Sequence, residues 1–212
     1  DDHLTGGDWL RLATELERFE LVLLSNRTWS LVCERLVHEL ARTTGVDQLR
    51  RFEALSTLVT HPVAQRHVLL ALGAWLTDPD VQVVFPMLTV LQQLEDPAAS
   101  KLVCRLLDAP SGQLSRGAIQ VAAAKLARGH IGPAHLALIE QHAIRGLVTP
   151  TSKRSADLLD LLTHLPTDSF ARVTGTLKDG PLRARILQTR ETHDLAVREA
   201  SRSISRQVSA QA

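Results

Sequence analysis

Tyrosine is absent from the 212 residues, and aromatic residues together make up 3% of them. β-Sandwich interiors lean on aromatic and β-branched side chains. A chain this poor in rings must fill its core with Leu, Ala and Val, which suits close helix packing. An excess of one charge is also missing: 24 basic residues stand against 23 acidic, a net charge of +1. Proteins that work on nucleic acid carry a basic excess or a basic stripe. The global balance argues against that role, and only a local patch would restore it. No uninterrupted apolar run approaches the ~20 residues that span a bilayer, so no membrane partner is expected. Cysteine is scarce, with Cys33 and Cys104 alone. Both lie in apolar helical stretches, Leu31-Val32-Cys33 and Val103-Cys104. Buried reduced thiols of this kind fit a cytoplasmic protein without a disulfide framework. The chain opens on Asp1-Asp2-His3, with no methionine and no signal-peptide pattern. The expectation is a segment of a longer polypeptide.

What is present is a rhythm of prolines. Pro62, Pro97, Pro133 and Pro166 follow one another at intervals of 35, 36 and 33 residues. An apolar stretch of helical spacing precedes each of them. A period near 34 residues marks stacked helical hairpins. The pairs are predicted at 46–60 with 62–76, 80–94 with 97–107, 113–127 with 132–144, and 149–164 with 166–177. Proline then sits at or beside the first turn of each second helix, where its missing N–H costs nothing. Pro86, inside the first helix of the second pair, predicts a kink or an early break. An additional N-terminal hairpin is predicted from Asp8 to about Leu24 and, capped by Thr28, to about Ala41.

Aligning the units on the proline gives repeating columns. Seven residues before it stand Leu55, Val90, Leu126 and Leu159; ten before it stand Phe52, Met87, Ala123 and Ala156. The offset of three places both columns on one helical face. Six residues after the proline stand Val68, Val103, Ile139 and then Arg172, a break of the kind a capping unit carries. Past Gly180-Pro181 the pattern changes. A C-terminal amphipathic helix is predicted over 181–212, fraying toward the Ser-, Arg- and Gln-rich end. The domain reading is therefore a helical repeat domain over 1–180 followed by that helix.

The turns Thr77-Asp78-Pro79-Asp80-Val81-Gln82 and Leu94-Glu95-Asp96-Pro97-Ala98-Ala99 resemble the inter-helix turns of HEAT repeats, and Ala71-Leu72-Gly73-Ala74-Trp75-Leu76 resembles a common HEAT helix ending. The resemblance covers about Val46 to Leu177. It implies an all-α fold, a right-handed α-solenoid of about five antiparallel hairpins, and it implies no particular activity. The basic residue common after the HEAT turn is Gln82 in one unit and Arg116 in another. The Leu-, Ala- and Arg-rich vocabulary also resembles the effector half of actinobacterial helix-turn-helix regulators.

No reaction is written in the chain. Val37-His38-Glu39-Leu40-Ala41 ends in alanine where an HExxH zinc motif needs its second histidine. The spaced pairs His61 and His67, His130 and His135, and His135 and His142 lack the converging ligands of a metal site. No GxSxG elbow and no GxxxxGK[ST] loop occurs, so neither a serine nucleophile nor a nucleotide cofactor is expected. Ser152-Lys153-Arg154-Ser155 at a helix start reads as a solvated first turn. One enzyme reading stays open, a DNA glycosylase-like helical-repeat protein. Its contacts would be Arg66, Lys101 and Arg105, a short basic row that ends at Ala137 and Phe170; it would also need aromatic walls, whereas Trp9, Trp29 and Trp75 sit in helices whose patterns would bury most of them. The stronger functional signal is at the C-terminus. Ala196, Ala200, Ile204 and Val208 form an i, i+4 stripe, and Arg198, Arg202 and Arg206 form a basic edge opposite it. Such a helix docks on a partner. The expected function is a non-catalytic interaction or regulatory scaffold that meets a protein partner or a second copy, with a small-molecule effector as a further class.

Overall fold

The computed structural model describes residues 25–76, 85–109, 112–148 and 152–211, and the side chains of 148, 152–156 and 206–211 fall outside that description. The described residues form ten helices and no strand. These are α1 Asn26–Arg42, α2 Gly45–Leu58, α3 Pro62–Leu76, α4 Phe85–Gln93, α5 Pro97–Leu107, α6 Gly112–Ala127, α7 Pro133–Val148, α8 Ser152–Thr163, α9 Thr167–Gly175 and α10 Pro181–Gln211. The helix predicted from Asp8 to Leu24, the start predicted at Asp80 and the turn at Thr77–Gln82 lie outside the described residues. The chain divides into two compact units, Asp1–His135 and Leu136–Ala212.

The prolines stand where the sequence places helix starts. Pro62, Pro97 and Pro133 open α3, α5 and α7, and Pro166 is the N-cap residue of α9. Pro86 is the second residue of α4, so the described helix begins at the proline instead of bending around it. Asp96 accepts a hydrogen bond from the Ala98 amide (2.7 Å) and caps α5. α1 begins earlier than expected. Ser25, in extended backbone, caps it by accepting from the Thr28 amide (3.2 Å), and Thr28 itself lies inside the helix.

Within the first unit each helix from α1 to α4 meets the helix two places along. α1 packs on α3, α2 on α4, α3 on α5 and α4 on α6, while α1 also packs on α2 and α5 on α6. The faces so covered are aliphatic. Leu36 and Leu40 of α1, Leu55, Val68 and Leu72, Met87 and Leu91, and Val103 are all fully buried. Each such side chain contributes about 1.5–3 kcal/mol by leaving water. The proline-aligned columns hold in part. Leu55 and Val90 are fully buried, whereas Leu126 and Leu159 are only half-buried. In α6 the deepest positions are Ala118, Ala122 and Lys125, so the buried face is turned by one residue. Six after the proline, Val68, Val103 and Ile139 are fully buried. Arg172 instead faces out and pairs with Glu140 of α7 (2.7 Å).

Helix C-termini leave carbonyls without an intrahelical partner. Here side chains from later helices answer them. Gln48 of α2 donates to Leu40 O and Thr43 O at the end of α1, and Gln65 of α3 donates to Val59 O at the end of α2. Lys125 of α6 reaches Leu94 O just past α4, and Ser115 of α6 donates to Leu107 O of α5 (2.6 Å). α6 ends on its own backbone. Gly129, at φ +72°, lets the His130 amide bond Lys125 O (2.9 Å) and its own amide bond Leu126 O (3.0 Å), a Schellman turn. Buried Ser100 of α5 then holds His130 O at 3.0 Å.

Gly117 of α6 faces Leu88 of α4 with no room for a side chain. A Cβ at this position would run into Cδ1 of buried Leu88. Alanine gains about 1 kcal/mol of helix propensity but displaces Leu88, at about 1–3 kcal/mol. Gly117→Ala is expected to lose about 1 kcal/mol in urea unfolding. Most of that loss should disappear in a Leu88→Ala background, where the clash is gone.

Candidate functional site

α10 runs unbroken over 31 residues, about 46 Å at 1.5 Å per residue. Its first half is anchored in the second unit, where it packs on α8. Ile186 is fully buried. Arg190 supplies the polar anchor. One guanidinium nitrogen, Nη1, donates to Thr163 O (2.8 Å), Leu165 O (2.7 Å) and, more weakly, Leu162 O (3.4 Å). Its Nε donates to Asp194 (3.1 Å), and the guanidinium carbon stands 5.2 Å from the centre of the Phe170 ring. An Arg–Asp pair at i, i+4 is visible in the sequence, but the three carbonyls that make it an anchor are not.

Beyond Asp194 the helix changes character. Every described side chain from Leu195 to Ser205 is exposed. Leu195, Val197 and Ile204 are 52%, 50% and 61% exposed, which is far from the usual state of large aliphatics in numbers on one helix. Of the predicted stripe, Ala196, Ala200 and Ile204 are exposed, and so are Arg198 and Arg202 of the predicted basic edge. The side chains of Arg206 and Val208 lie outside the described residues. Leu195 and Val197 were not part of the predicted stripe. Their signal in the sequence is a bulky aliphatic on either side of Ala196.

The basic row is also solvated. Arg66 of α3 and Lys101 and Arg105 of α5 are exposed, and α3 packs on α5. The two described tryptophans are engaged elsewhere. Trp29 is fully buried in α1, Trp75 lies against the His38 ring at 5.5 Å, and Trp9 lies outside the described residues. His38 is held below the ordinary histidine range, by burial first and then by Arg42 and Arg35.

Several of the other described histidines make local contacts. His67 Nδ1 bonds Ser30 Oγ across α3 and α1 (3.0 Å), and His142 is buried in α7. His164 and His193 meet edge to face at 5.0 Å. His164 is pushed down by burial, with His193 and Arg190 adding to that and Asp160 opposing it. Among the described residues no group of three or more His, Cys, Asp or Glu side chains gathers as a metal ion requires. Burial pushes the Cys33 thiol up to about 12 and that of Cys104 up to about 11, with Glu34 and Asp108 adding to the two shifts. Both are protonated and unreactive at neutral pH. α8 begins at Ser152, and the side chains of Ser152 to Ser155 lie outside the described residues. No described helix is long and apolar enough to cross a membrane. No family model matches the chain, and no curated protein matches it.

Proposed function

We propose that this chain is a non-catalytic interaction scaffold: a HEAT-like stack of helical hairpins that presents α10 to a protein partner. The partner we favour is a second copy of the same helix. The observation that carries this reading is the distal half of α10, where Leu195, Val197 and Ile204 lie in water. A solvated helix of this length is marginal by itself, and covering its aliphatic side chains is the ordinary way to hold it. Charge supports self-pairing. In a register centred between Asp194 and Leu195, an antiparallel copy sets Glu191 against exposed Arg198. The stacking part of the proposal draws on the contacts between helices two places apart in the first unit. A sensory or oligomerisation role within a larger regulator follows naturally from such a scaffold.

Light scattering on a sizing column tests it. The full chain is expected to elute as a dimer at high protein concentration. Deleting Arg198–Ala212, or placing a charge in the seam with Ile204→Asp, is expected to give a monomer. A monomer throughout, unchanged by either alteration, would overturn self-association.

A further inference from the structure

At one end of the first unit, the α2–α3 turn faces the end of α4 across a cavity of about 400 Å³. Its lining is Ser56, Val59, Thr60, Gln65, Gln93 and Glu95. That volume falls in the range that holds small organic ligands. Ser56 Oγ and Gln93 Oε1 are buried and make no hydrogen bond among the described residues. A buried polar atom left so costs about 1–3 kcal/mol, and two of them at one cavity call for an explanation.

The lining is rich in acceptors. Gln65 Nε2 is committed to Val59 O (2.9 Å), and the Thr60 hydroxyl donates to Thr57 O (2.7 Å), which leaves the Thr60 oxygen to accept. Glu95 is exposed and adds a carboxylate. Neither Lys nor Arg is among the described lining residues; the nearby Lys125 ammonium is turned to Leu94 O, although Glu95 also pulls on it. The Gln93 amide can present either end, so Glu95 fixes the sign of the site. We infer that this cavity binds a guanidinium or alkylammonium headgroup. Glu95, and Gln93 with its amide turned over, accept its N–H groups, and Val59 packs on its methylenes. The site goes beyond the α10 reading and stands without it.

Calorimetry on the full chain at low salt tests the inference with agmatine and with acetyl-Gly-Arg-Gly-amide. A free amine metabolite as the natural source predicts that agmatine binds the better. An arginine side chain on a peptide predicts the reverse. In either case binding is expected at one site per chain and to weaken at least about tenfold in Glu95→Gln and in Gln93→Leu, since a hydrogen bond to a charged group is at stake. Glu95 is exposed, so Glu95→Gln keeps the fold even where Gln93→Leu perturbs it. Neither probe binding at about 10 mM, a limit that leaves no useful affinity, overturns the inference. So does binding unchanged by Glu95→Gln, or neutral N-butylurea binding as tightly as agmatine.

Discussion

Lys125→Met is expected to match the parent protein within about 1 kcal/mol at pH 7 and to fall about 2.5 kcal/mol behind it by pH 10. Lys125 is fully buried in α6, and its ammonium reaches Leu94 O past the end of α4. Burial, and then Arg128, push it down to about 8, against the opposing pull of Glu95 and Asp96. In the unfolded chain a lysine titrates near 10.4. Between about 8 and 10.4 the unfolded chain therefore binds more protons than the folded one, so the parent gains stability as pH rises through that window. The full gain is about 3 kcal/mol, most of it complete by pH 10. Buried Cys33 and Cys104 act in the opposite direction. Their folded values lie above the ordinary thiol range, so they withdraw stability once the unfolded thiols ionise near pH 8.5–9. Both proteins carry them, and the difference between the two pH curves cancels their part. Methionine also fills the space at neutral pH, where losing a buried charge offsets losing the bond to Leu94 O. Lys125→Ala does not fill it, and is expected to be about 3 kcal/mol less stable than Lys125→Met at every pH. Chemical denaturation at pH 7, 8.5 and 10 measures all three. A pH-independent difference between parent and Met variant would refute the buried-lysine account.

The same lysine shows where the sequence stops being readable. The helical class and most helix starts could be read because they rest on local chemistry: proline at a first turn and aliphatics at helical spacing. The columns at Leu55, Val90, Val68 and Val103 could be read for the same reason, and all four are buried. Lys125 falls in a run of alanines that marks a buried face, yet its own type argues for the surface. Only the position of the Leu94 carbonyl, thirty-one residues away in sequence, resolves the conflict. Ser115 on Leu107 O and Arg190 on the end of α8 are hidden alike, since helix-end carbonyls carry no sequence mark of what will meet them. The division between His135 and Leu136 falls inside the continuous helix α7, three residues past the Gly132-Pro133 break that the sequence marks. At the candidate site the amphipathic helix was legible, but its exposed aliphatics were only partly so. The predicted stripe followed an i, i+4 row, whereas exposure past Asp194 takes in every described face and so adds Leu195 and Val197.

Arg190→Ala is expected to cost the second unit about 3 kcal/mol and to loosen α10 along its anchored half. Most exposed ion pairs contribute about 1 kcal/mol or less, and the pairing with Asp194 alone would fall in that class. Arg190 differs because its side chain is 17% exposed and its Nη1 serves the carbonyls of Thr163 and Leu165 at the end of α8. Alanine leaves those carbonyls without their donor and strips the cation from the face of Phe170. Two hydrogen bonds from a charged donor and a partly desolvated cation–π contact together justify the larger figure. Arg190→Lys keeps the charge but loses the planar fork, so it cannot hold the carbonyls and Asp194 at once. It is expected to recover about half of the loss. Asp194→Asn removes only the ion pair and is expected to cost about 1 kcal/mol or less. Hydrogen exchange separates this anchor from a diffuse packing effect. In Arg190→Ala, amides of α10 around Ile186–Asp194 should exchange faster, while those of α1 and α3 in the first unit keep the parent's protection. The distal helix can be presented to a partner only while this anchor fixes its root. If α10 pairs as proposed, Arg190→Ala is therefore also expected to weaken that pairing, though Arg190 lies outside the run of exposed residues from Leu195 to Ser205. An Arg190→Ala protein with unchanged exchange in α10 would show that Ile186 and its neighbours hold the helix without the guanidinium.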